Sequence, residues 1–112
     1  MSTLQNIKDL SDAVTEQRKN FVVDEVNDSC LRLAVNHEDY PWHFHSNSDE
    51  LFMMLEGELI IEFRDRESVT LRPNDTLLVP AGVVHKTCPK GRTVNLCFEK
   101  TDADTQFVDE AG

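Results

Sequence analysis

Basic residues are scarce in this chain: 11 Lys and Arg stand against 21 Asp and Glu, a formal net charge of −10. So negative a surface repels polyanions, because nucleic acid and anionic lipid are bound through clustered cations. Neither a nucleic-acid nor a membrane partner is expected. Long apolar runs are missing too: nothing approaches the roughly 18 consecutive apolar residues of a membrane span. The opening MSTLQNIKDLSDAV lacks the basic start and apolar stretch of a secretion signal, so the cytoplasm is the expected address. Cysteines are few and odd in number. Cys30, Cys88 and Cys97 show no C-x-x-C spacing, which speaks for reduced core residues rather than a disulfide framework. With 112 residues, there is room for one domain and not for two.

What the chain does contain is mostly short alternating segments. Ile7, Leu10 and Val14 recur at helical spacing and predict one short amphipathic helix near the N-terminus. From Asn20 onward the pattern is that of strands. Phe21-Val22-Val23 and the run from Cys30 to Val35 flank Asn27-Asp28, a hairpin turn. Tyr40 to His45 alternates, Glu50 to Leu55 is nearly all apolar, and Glu56-Gly57 is expected to turn into Glu58 to Arg64. Ser68 to Leu71, Thr76 to Val79, His85 to Cys88 and Thr93 to Glu99 follow. They are separated by Pro73-Asn74-Asp75, Pro80-Ala81-Gly82 and Pro89-Lys90-Gly91, each expected to be a turn. Frequent turns between strands of about five residues predict an all-β sandwich or barrel. The expected division is an N-terminal helix and arm over 1–19, a β-barrel over 20–100, and a polar, loosely ordered tail over 101–112.

Within this frame, His43-Phe44-His45 sets two imidazoles on one face of a strand, about 7 Å apart along it. Both can reach an ion about 2.0–2.1 Å from each nitrogen. Ser46-Asn47-Ser48 turns the chain so that Glu50 can return beside them, and a closed barrel can bring His85 across from beyond Pro80-Ala81-Gly82. One histidine alone reads as an ordinary surface or core residue. Three of the chain's four, with a carboxylate at strand-compatible spacing, read as a ligand set.

Residues 43–57 read His-x-His-x4-Glu-x6-Gly and residues 80–85 read Pro-x-Gly-x2-His, an ordered pair of motifs that resembles the cupin superfamily. The likeness spans about 30–99 and is strongest to short bacterial single-domain cupins. These share Trp42 to His45, Asp49-Glu50-Leu51-Phe52, Gly57-Glu58-Leu59 and Val79 to His85. Three positions depart from the pattern: His37 and Asn74 stand where a Gly opens each motif, and Pro89 stands where an Asn often closes the second. The resemblance implies a single jelly-roll (double-stranded β-helix) barrel with His43, His45, Glu50 and His85 as metal ligands. It also implies pairing into a homodimer.

Three imidazoles and one carboxylate leave a divalent ion a formal charge of about +1 and leave about two positions of an octahedral shell for water or substrate. Fe, Mn, Ni, Co and Zn all suit such a set. Strand parity sends Phe52 and Met54 inward with Glu50, and Thr87 inward with His85, which predicts an apolar pocket for a small organic molecule. Tyr40, Trp42, Phe44, Leu51, Met53 and Leu55 are expected to point outward. No basic residue is expected inside the barrel, and no second carboxylate is expected beside the ligands. Two functions follow: a metal-dependent enzyme (oxygenase, isomerase or lyase), or a non-catalytic metal or small-ligand binding or sensor module.

Overall fold

The alternation of apolar and polar residues resolves into eight strands and one six-residue helix in a computed structural model that describes residues 4–109. The helix α1 (Ile7–Asp12) starts where the Asn6 side chain accepts from the Asp9 amide at 2.9 Å. It is shorter than the Ile7–Val14 spacing suggests. Val14 nonetheless stays on its apolar face, and with Ile7 and Leu10 packs over Leu33, Val35 and Val94. Among the described residues no helix is long and apolar enough to cross a membrane.

The strands are β1 (Arg18–Val26), β2 (Ser29–Asn36), β3 (Tyr40–Phe44), β4 (Glu50–Phe63), β5 (Val69–Leu71), β6 (Thr76–Val79), β7 (His85–Lys100) and β8 (Gln106–Phe107). β1 and β2 form the expected hairpin, with Asn27 at φ 56°. All pairings are antiparallel. β4 and β7 are the backbone of the barrel because each takes part in both layers. One layer runs β1-β2-β7-β4-β6 through the first half of β4 and the second half of β7. The other runs β8-β3-β7-β4-β5 through the remaining halves. Between the layers lies a core of Phe52, Met54, Leu59, Ile61, Phe63, Leu71, Val79 and Cys97.

Two expected turns are not turns. Glu56-Gly57 lies inside β4, and Pro89-Lys90-Gly91 lies inside β7. The β4–β7 register shifts between Met54 and Glu58, and both glycines there have positive φ, 79° for Gly57 and 70° for Gly91. These are bulges that bend a continuous strand from one layer to the other. A further correction concerns the end of the chain. Residues 101–109 are not loose: Gln106 and Phe107 add β8 to the edge of β3.

A Cβ on Gly57 would lie 2.6 Å from the Arg92 carbonyl oxygen, whereas one on Gly82, also at positive φ, would meet nothing within 4 Å. Gly57→Ala is expected to destabilise by roughly 3 kcal/mol and Gly82→Ala by about 1 kcal/mol, the latter from left-handed backbone strain alone. Urea midpoints of the two variants measure the difference, and equal losses would contradict the close approach at Gly57.

Candidate metal centre

β3 carries His43, and His45 follows directly after it. Glu50 opens β4 and His85 opens β7. His43 and His85 are register partners across β3 and β7, so those two imidazoles are neighbours by pairing alone. The intervening loops are stitched together. The Gly82 amide donates to the His45 carbonyl at 2.8 Å, and the Ala81 amide donates to Asp49 Oδ1 at 2.8 Å. All four side chains are buried, and one ligand atom from each lies within 4.8 Å of every other. An ion about 2.0–2.2 Å from each atom would hold opposite ligands about 4.4 Å apart, close to this spacing.

Orientation is set from behind. The Nδ1 atoms of His43, His45 and His85 lie 2.8, 2.7 and 2.9 Å from the carbonyl oxygens of Pro41, Asp104 and Val83. A carbonyl only accepts, so each Nδ1 carries the proton and each Nε2 is turned to the centre. Metal-binding histidines are commonly held this way.

At the centre, Glu50 Oε1 lies 3.1 Å from His45 Nε2 and 3.4 Å from His85 Nε2. Burial lowers the His43 pKa to about 4, with the His85 charge adding to it, so His43 is neutral at pH 7. The Glu50 hydrogen bond raises His45 to about 9. Burial pushes the Glu50 carboxyl up, but its hydrogen bond with His45 and the closeness of the His85 imidazole outweigh this and hold it below the usual carboxylate range. His85 Nε2 is fully buried and has no hydrogen-bond partner. An acceptor left so costs about 1–3 kcal/mol, which a coordinated cation would recover. The donor set therefore fits a divalent transition metal.

A cavity of about 240 Å³ opens beside the ligands. Phe52 and Thr87 line it, whereas Met54 is fully buried in the core and does not reach it. Its character differs from the expected apolar pocket. Arg18, Arg32, Asn95 and Glu99 also line it, Arg18 exposed at its mouth, so basic residues and a second carboxylate do face the cavity. Burial and the Glu50 charge raise the Glu99 pKa. Tyr40 lines the cavity as well, edge-on to His43 at 4.9 Å, because a register shift between Tyr40 and His43 breaks the parity that would send it outward. The signal for the missed residues was present: Arg32 interrupts the apolar run from Cys30 to Val35, and Asn95 the run from Val94 to Phe98.

The comparisons agree with this geometry. The Cupin domain family model matches residues 31–93, and the chain belongs to the cupin family. It is 50% identical to the uncharacterized protein YdbB of Bacillus subtilis (strain 168), over 98% of this chain and 97% of that one. A cupin-2 domain protein of Shewanella frigidimarina is similar at 30% identity and TM-score 0.81, covering 87% and 94% of the two chains. The DMSP lyase DddQ of Ruegeria pomeroyi shares the fold at 19% identity and TM-score 0.69, over 84% of this chain and 52% of that one.

The segment after β7 acts on the centre through His45. Asp104 presents its carbonyl to Nδ1 while its carboxylate accepts from the Ser46 amide, the Ser46 hydroxyl and Gln106. Asp104→Ala is expected to weaken metal binding about tenfold by loosening that carbonyl, and Lys8→Ala to leave it unchanged. Competition with a chromophoric chelator measures both, and an unaltered Asp104→Ala affinity would refute the positioning role.

Proposed function

We propose that this protein holds one divalent ion of iron, manganese, nickel, cobalt or zinc on His43, His45, Glu50 and His85, and admits a small organic molecule to its open positions. The observation that carries this reading is the convergence of three imidazole Nε2 atoms on Glu50, each ring fixed by a carbonyl behind it. When bound, such an ion supplies Lewis-acid or redox chemistry at the exchangeable positions. The protein's own part is to hold the ligand set, to shield the site by burial and to orient a molecule in the cavity.

Catalysis by an oxygenase, isomerase or lyase route is favoured over passive binding by one residue. Glu99 places a carboxylate in the cavity, outside the ligand set, where it can exchange a proton with a bound molecule. A binding or sensor module would have no need of that group, and is the second reading. Three free cysteines suit a reducing compartment and support the cytoplasm as the address.

Elemental analysis of protein made without a polyhistidine tag is expected to give about one metal per chain. His43→Ala with His45→Ala is expected to abolish it and lower Tm. No metal in the parent, together with an unchanged Tm in the variant, would refute the reading.

We propose pairing as well. Leu78, Leu51, Phe98 and Leu31 are register neighbours across β6, β4, β7 and β2 on the outer face. α1 covers only the adjoining part of that face, leaving Leu78 53%, Leu51 39% and Phe98 39% exposed. A second copy on this row would remove it from water. Sedimentation at micromolar concentration is expected to show a dimer, weakened by Leu51→Glu; a parent that is monomeric throughout would overturn it.

A further inference from the structure

We infer that the cavity is built for a small organic acid, with Arg18 and Arg32 receiving its carboxylate while the rest of the molecule lies toward the His43–His45–Glu50–His85 set. This rests on the metal reading above for what the other end meets, and on the cavity wall alone for the acid.

The wall is formed by the inner faces of β1, β2 and β7. Arg18 and Asn20 lie two residues apart on one face of β1, and Arg32 reaches across from β2, its Nη1 donating to Asn20 Oδ1 at 3.2 Å. Both arginines line the same wall, Arg18 at its exposed mouth and Arg32 further in. Arg18 is also held in place, its guanidinium carbon 4.1 Å from the centre of the Tyr40 ring. Neither arginine is in an ion pair among the described residues. A planar guanidinium with unused donors matches an oxyanion in a bidentate pair.

Charge decides which oxyanion. Outside the ligand set the cavity holds two guanidiniums against the one carboxylate of Glu99. A monoanionic carboxylate balances that excess; a phosphate dianion overshoots it and lies near both Glu99 and Glu50. In a chain of net charge −10, this wall is a local reversal of sign that draws an anion inward. Size restricts the ligand further, since about 240 Å³ falls below the roughly 300–1,000 Å³ of drug-sized sites.

One more group on the wall is unsatisfied. Asn95 is 1% exposed, its Nδ2 lies 3.3 Å from Cys97 Sγ, and its Oδ1 has no partner. A buried acceptor in a cavity wall calls for a donor on the ligand, so the acid carries a hydroxyl or an N–H group.

Calorimetric titrations test this with butyrate, neutral butyramide, L-2-hydroxybutyrate and inorganic phosphate, each against protein with and without Co(II). Butyrate is expected to bind at least about tenfold tighter than butyramide, and Arg18→Gln with Arg32→Gln to erase that difference. L-2-Hydroxybutyrate, which adds a hydroxyl, is expected to bind tighter than butyrate in the metal-free protein as well. Azide is expected to change the visible spectrum of the Co(II) protein equally in parent and variant, which shows that the variant is folded and loaded. The proposal is overturned if butyramide binds as well as butyrate, if phosphate binds tighter, if butyrate gives no heat with the parent, or if the double variant binds butyrate like the parent. The parent comparison needs no variant, so a misfolded variant does not rescue it. Failure of Co(II) to bind would refute the metal reading only, because the metal-free titrations still decide the acid.

Discussion

β4 and β7 pair along almost their whole length, from Leu51 opposite Phe98 at one end to Phe63 opposite His85 at the other. Because both strands bend at the same place, this single ladder supplies part of each layer and fixes how the layers face one another. Glu50 and His85 begin the two strands in opposite layers, so the bend that closes the barrel also sets carboxylate and imidazole 3.4 Å apart. β3 then needs only to pair with the start of β7 for His43 to arrive beside them. The shape of the barrel and the geometry of the centre are thus one constraint, imposed where Gly57 and Gly91 permit a backbone that other residues resist.

The four-residue cluster that could hold a metal was legible in the sequence because its spacing is mostly local. His43, His45 and Glu50 lie within one strand, one turn and the start of the next strand, and His85 follows a loop whose Pro and Gly are themselves informative. Strand parity also foretold burial at Phe52 and Thr87. What parity cannot reveal is where it lapses. A glycine at positive φ serves a hairpin turn and a bulge equally well, so Gly57 and Gly91 read as turns until the facing strand is known. A register shift of the same kind turned Tyr40 inward. The cavity's polar wall was hidden for a different reason: Arg18, Arg32, Asn95 and Glu99 lie on three strands, and only the β1-β2-β7 register shows that they share a face.

The centre and its cavity differ in electrical character. The ligands are enclosed, with burial, hydrogen bonds and neighbouring charge driving His43 and His45 in opposite directions from one starting value. The wall outside them is wetter and carries both signs. Such a division suits a site in which one region holds an ion tightly while the other recognises something that must enter and leave. Cys97 belongs to the enclosed region. It is buried beside Glu50, and burial with that charge pushes its thiol well above the usual range, which keeps it an inert lining rather than a nucleophile.

Asp104 holds His45 from 59 positions further along the chain, and β7 must be in place before either layer exists. A chain emerging from the ribosome has exposed His43, His45 and Glu50 long before it can enclose them. It cannot complete the ladder until Lys100 is free, nor lock the His45 ring until Asp104 follows. The site therefore cannot close before residues as far along as Asp104 are available to it. A shorter stretch of chain holds only a loose part of the four-residue group, and its enclosed geometry belongs to the whole barrel.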